Sequence, residues 1–132
     1  MIKGTLALVV CSCAVLAQGA GVYSVRDFGA KGDGVAKDTA AIQQAIDAAT
    51  AAGGGTDELG AGTYLSGSVW PKSNVTFPLA EGAVLKGSAD IADYCPSNCC
   101  PQNYASPRSG DSTSGGHLVL CVAQHGVTVR GP

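Results

Sequence analysis

The chain has 132 residues, a formal net charge of −2, and 19 glycines against only 5% aromatic residues. This length holds one small domain at most, with a thin core and many tight turns. No basic cluster is present to neutralise phosphates, which excludes nucleic acid as a partner, and 14% charged residues are too few for disorder driven by self-repulsion.

Residues 1–19 read as a signal peptide. Lys3 supplies the positive start, Leu6 to Leu16 the apolar stretch, and Ala17-Gln18-Gly19 the small residues that a signal peptidase recognises. The apolar stretch falls well short of the roughly 20 residues of a spanning helix, so cleavage after Gly19 leaves a secreted, extracellular chain with no membrane contact. Cys11 and Cys13 depart with the leader. Cys95, Cys99, Cys100 and Cys121 remain as disulfide candidates, an even number in an oxidising compartment. Zinc is the weaker reading of these four, because Cys99 and Cys100 are adjacent and no Cys-x-x-Cys pair exists.

The mature domain spans 20–132. Its first regular element is a helix over about 39–52, with Asp38 or Thr39 placed to cap it. Ile42, Ala45, Ile46 and Ala49 recur on one face, Gln43, Gln44 and Asp47 occupy the other, and Gly53-Gly54-Gly55 ends the element. The period then changes from helical to alternating. Val75, Phe77 and Leu79 point one way, as do Leu118, Leu120 and Val122, and then Val127 and Val129. Glycines at 60, 62, 67, 82 and 87 punctuate these short strands.

Asn74-Val75-Thr76-Phe77 is echoed by Gly126-Val127-Thr128-Val129, 52 positions later. A proline-rich, serine-rich loop over about 89–116 lies between them; excising it leaves a period suited to one coil of a repeat architecture. A loop of that length needs fixing, and Cys95, Cys99 and Cys100 are placed to do so. One bond within the loop region and one from it to Cys121 are expected.

Three segments fit strands poorly. Asp57-Glu58 stands where a buried strand would be costly to form, so these side chains should face solvent or the coil should be distorted. Pro71 and Pro78 each remove a ladder donor, which calls for a gap or an edge position.

The opening run from Val22-Tyr23-Ser24-Val25-Arg26-Asp27-Phe28-Gly29-Ala30 through Lys31-Gly32-Asp33-Gly34 and Asp38-Thr39 resembles that of the pectate-lyase-like superfamily. The likeness is greatest to polygalacturonases and rhamnogalacturonases of glycoside hydrolase family 28. It continues through Gly53-Gly54-Gly55-Thr56, Ala61-Gly62-Thr63-Tyr64-Leu65, Lys72-Ser73-Asn74-Val75-Thr76 and Glu81-Gly82-Ala83-Val84-Leu85-Lys86-Gly87-Ser88. This resemblance implies an all-β fold, the first coils of a right-handed parallel β-helix whose open end is covered by the helix. It also implies a monomer without cofactor whose partner is pectic polysaccharide.

The same resemblance locates the hydrolytic carboxyls in Asn-Thr-Asp and Asp-Asp motifs, backed by Gly-His-Gly and Arg-Ile-Lys, and none of these occurs here. Inverting hydrolysis needs an acid and a base about 6.5–9.5 Å apart. Asp57 and Glu58 project to opposite faces of an extended strand, and Asp90, Asp93 and Asp111 match no catalytic position, so no catalytic residue is assigned. His117 and His125 are expected at turns. Asp27, Asp33 and Asp38 fail the calcium-loop spacing and should serve turns and caps, which leaves no metal ligand assigned. Tyr64 and Trp70 are expected to pack rather than to stack on sugar. Asn74-Val75-Thr76 is a glycosylation acceptor by sequence, although the turn preference of Asn favours a structural role for Asn74 at the entry to the strand.

The expected function is therefore the N-terminal fragment of a secreted polygalacturonase-like hydrolase. Two alternatives are a non-catalytic, disulfide-stabilised module that contacts carbohydrate, and part of a lyase or tail-spike-like enzyme.

Overall fold

A computed structural model describes residues 21–95 and 117–132. The leader, Cys99, Cys100, Asp111 and most of the 89–116 loop lie outside the described residues.

The backbone winds as stacked coils. The first coil contains β1 (Gly21–Ser24), a 3-10 turn (Val25–Phe28), β2 (Asp33–Lys37) and α1 (Thr39–Ala51). Next come β3 (Gly55–Glu58) with β4 (Gly62–Ser66), and then β5 (Val75–Pro78) with β6 (Ala83–Gly87); β7 (Thr128–Arg130) begins a further coil. Every pairing is parallel, in one sheet ordered β1-β3-β5-β7 and a second ordered β2-β4-β6. Bridges at Leu59↔Leu79 and Val69↔Val119 continue the stacking beyond the strands.

The coil offset is 20 residues from Gly55 to Val75 and 21 from Gly62 to Ala83. From Thr76 to Thr128 it is 52, the spacing of the internal echo, because the long loop is inserted in that coil.

The helix forms where its periodicity predicts. Ile42, Ala45, Ile46 and Ala49 are buried, and the element packs on β1, β3, β5 and the 3-10 turn. Its last carbonyls are closed by Gly53 and Gly54, both at positive φ. At Gly54 only glycine fits, since an added Cβ would lie 2.7 Å from the Asn74 carbonyl of the next coil.

The polar side of α1 has a second task. Residues 39, 43 and 47, one turn apart, face the segment that runs from β4 towards β5. The Gly67 amide donates to Thr39 Oγ1 at 2.9 Å, the Trp70 amide donates to Gln43 Oε1 at 2.9 Å, and Gln43 Nε2 donates to the Trp70 carbonyl at 3.3 Å. Lys72 Nζ lies 2.8 Å from Asp47 Oδ1. These side chains supply the partners that a preceding strand would supply, and so blunt an exposed edge.

Asp38 departs from its expected role. It stands at the cap position, but its side chain makes no cap hydrogen bond. The carboxylate is buried and accepts from the amides of Lys31 at 2.8 Å and Gly32 at 3.0 Å. A tight loop brings those two donors against it, and they take the oxygens that the helix amides would use.

Pro78 sits in a central strand and not at an edge, so its missing donor is met by the other expected device, a gap in the ladder. The β3–β5 ladder pairs at 55 and 56, stops, and resumes at the Leu59↔Leu79 bridge. The gap falls where the missing donor predicts. Among the described residues no helix is long and apolar enough to cross a membrane.

Candidate functional site

Catalysis of sugar transfer would need two accessible carboxyls of opposed protonation. Among the described acidic residues, Asp33, Asp38, Asp47, Asp90 and Asp93 are held by neighbours, Asp57 is sealed in, and Asp27, Glu58 and Glu81 stand exposed. Asp33 Oδ1 accepts from the Val35 and Ala36 amides, each at 2.8 Å, and these bonds, that of Ala36 foremost, hold its carboxyl below the ordinary value. Asp38 serves Lys31 and Gly32 as described. For Asp47, burial acts upwards, yet the bonds from Lys72 and Gln43 leave it lowered.

Asp90 and Asp93 come closest to a carboxylate pair, and both address one cation. Lys37 Nζ is 2.7 Å from Asp93 Oδ1 and 3.5 Å from Asp90 Oδ2. The Lys37 bond, reinforced by the Ser88 hydroxyl, holds Asp93 down, and Asp93 in turn raises the Lys37 ammonium. A carboxyl held low by a lysine, as Asp93 is, cannot supply a general acid. Their effect is mechanical: they fix the 3-10 turn Ile91–Asp93 against β2, while the Asp93 carbonyl accepts from the Ser68 amide at 3.1 Å.

Asp57 is the sole described carboxyl raised towards the range of a general acid, to about 6, and desolvation is the cause. It is also 0% exposed. A sugar cannot reach it. The strand is regular and Glu58 is exposed, so the expectation that both side chains face solvent or distort the coil is corrected. Alternation between buried Gly55 and Leu59 forces Asp57 inward. That alternation was the available signal, since Gly55, Asp57 and Leu59 occupy every second position.

The other residues that the sequence singles out take structural places. The buried Tyr64 donates its hydroxyl to the Gly60 carbonyl at 2.9 Å, and Arg26 lies over its ring. Trp70 packs beside Cys95 and Leu120. His125 Nδ1 is 3.2 Å from the Ser73 hydroxyl, which donates to Gln124 Oε1 at 2.8 Å; these contacts tie two stacked turns together. The His117 carbonyl accepts from Ser68. Asn74 adopts φ 63 between the turns at Gly54 and Gly126, a left-handed place that suits its short amide. Among the described residues, no group of three or more His, Cys, Asp and Glu could hold a metal ion.

Cys121 overturns part of the expected disulfide framework. It is a free, exposed thiol, raised by partial burial and thus less ionised than usual. Leu120 points inward to Cys95, and the next side chain of an extended segment points away.

Known proteins carry similar coils and turns. The family model for rhamnogalacturonase A/epimerase, pectate lyase-like, matches residues 22–90, just over half of the chain. The chain belongs to that family. An exo-poly-α-D-galacturonosidase of Dickeya chrysanthemi is 44% identical over 73 residues, covering 55% of this chain and 12% of that protein. Mannuronan C5-epimerase AlgE5 of Azotobacter vinelandii is 62% identical over 61 residues, covering 40% and 6%. The family 28 exopolygalacturonase of Yersinia enterocolitica superposes with a TM-score of 0.67 at 34% identity, covering 85% of this chain and 20% of that one. A hyperthermoactive exopolygalacturonase of Thermotoga maritima has a TM-score of 0.67 at 22% identity over 83% of this chain and 23% of that one, and agrees in fold. The coils are those of a right-handed parallel β-helix with an N-terminal capping helix, as expected. This pectate lyase-like chain spans 12% and 6% of the two curated relatives.

Proposed function

We propose that this chain forms the opening coils of a secreted, monomeric polygalacturonase-like hydrolase acting on pectic polysaccharide, with the hydrolytic carboxyls carried by segments other than those described here. The carrying observation is the likeness to the Yersinia enterocolitica exopolygalacturonase, 34% identical over 85% of the chain. Identity to exo-poly-α-D-galacturonosidase points to the same substrate class. The division of labour has a physical basis: Asp33 and Asp93 are held low by amides, a hydroxyl and a lysine, and the one described carboxyl that is raised, Asp57, is buried. The coils therefore serve as a capped platform that fixes the register of strands stacked on them.

A second reading has its own observation, the 62% identity over 61 residues to a mannuronan C5-epimerase. Both readings share an acidic polysaccharide and differ in the bond attacked.

Protein recovered from culture medium tests both. The amino terminus is expected at Ala20 or Gly21, and intact mass reads the length of the product and any glycan on Asn74. New reducing ends on polygalacturonate, from a product containing Asn-Thr-Asp and Asp-Asp segments, support the hydrolase. Proton NMR showing epimerised mannuronan without chain cleavage supports the second reading. A product that starts at Met1, or lacks those segments and is inert on both polymers, overturns the first.

A further inference from the structure

The interior of the second coil contains a group that no function above uses. Asp57 is fully buried, and among the described residues neither carboxyl oxygen has a hydrogen-bond partner. Tyr23 of β1 is in register on one side. The 20-residue offset that joins Gly55 to Val75 and Leu59 to Leu79 sets Phe77 of β5 on the other. α1 closes over this region with its apolar face.

The titratable and charged groups on the surrounding elements are few, and each is engaged elsewhere or leaves Asp57 unpaired. Tyr23 makes no bond to it. Tyr64 donates to Gly60. Arg26 donates to the carbonyls of Lys31 and Ala61, Asp27 is exposed, and Asp47 is paired with Lys72 on the outer side of α1.

We infer that Asp57 is a pH-operated latch: protonated, it lets α1 and the first coils close over it, and ionised, it weakens that packed state. A neutral carboxyl in an apolar row costs far less than an unpaired charge. Burial alone lifts the group from 3.8 to about 6, in keeping with that geometry. Because the folded-state value lies above the unfolded one, the unfolded chain releases the proton first. The penalty is thus absent below about pH 4, grows between pH 4 and 6, and is complete above that. Asp33, Asp47 and Asp93 have lowered values, so their stabilising effect is in place above pH 4 and fades only below it.

The test compares urea unfolding of the full chain, followed by far-ultraviolet circular dichroism from pH 4 to 8, with that of Asp57→Asn and Asp57→Leu. Wild-type protein should show its unfolding constant rising about 100-fold from pH 4 to 7 relative to either variant. Every other group is common to the proteins, so the difference isolates Asp57. A difference that stays flat across this range overturns the latch. A direct reading needs no variant: the Asp57 carboxyl carbon resonance of the wild type should titrate near pH 6. Titration near pH 4 overturns the proposal whether or not the variants fold.

Discussion

Neighbouring strands β3 and β5 have the same backbone course and opposite interior chemistry. The inward row of β5 is Val75, Phe77 and Leu79; that of β3 is Gly55, Asp57 and Leu59. Phe77 and Asp57 are both 0% exposed, but only the first gains by it. The direction of a side chain in a stacked coil is set by strand alternation and by the turns at either end, not by the preference of that side chain. One unsuited residue is carried inward when its neighbours on both sides hold the strand in register.

Three substitutions break or sharpen this contrast. Phe77→Ala should have the largest effect, destabilising by about 3–5 kcal/mol through lost burial and a cavity under the helix. A shift in the denaturation midpoint corresponding to under 1 kcal/mol would mean that the β5 row is not the core. Asp57→Leu should act in the opposite sense. It removes a charge penalty of about 3 kcal/mol at pH 7, from the rise of the carboxyl to about 6, and the gain should shrink at pH 4. Equal gains at both pH values would detach the effect from ionisation. Glu58→Gln, at the exposed position next to Asp57, should change stability by no more than about 0.5 kcal/mol at either pH. A large effect there would show that the alternation is slipped by one residue.

Much of this was legible in the residues. The face of α1, the glycines that end it and the 52-residue echo are local or repetitive features. They appear in the structure at Ile42, Ala45, Ile46 and Ala49, at Gly53 and Gly54, and in the Thr76↔Thr128 register. The expectation for Asp57 failed because residue preference was weighed above strand alternation. The cap expectation for Asp38 failed because its partners, Lys31 and Gly32, are brought to it by a loop and not by the helix it precedes. The expected bond to Cys121 failed in that its thiol is free and exposed, while Leu120 beside it packs against Cys95.

By itself the sequence determined the capping helix, since side-chain spacing and terminating glycines act within a few residues of chain, while the motifs between Val22 and Ser88 carried the resemblance that implied the family and its stacked parallel coils. Tertiary structure alone decided which residues meet across coils. Gln43 reaches Trp70, 27 positions away, and Lys37 reaches Asp93, 56 away. Such partners depend on the length of every intervening turn and on the offset at which one coil settles on another. No local pattern encodes that sum: alternation turns Asp57 inward, but that no described residue pairs with it emerges only when the coils are stacked.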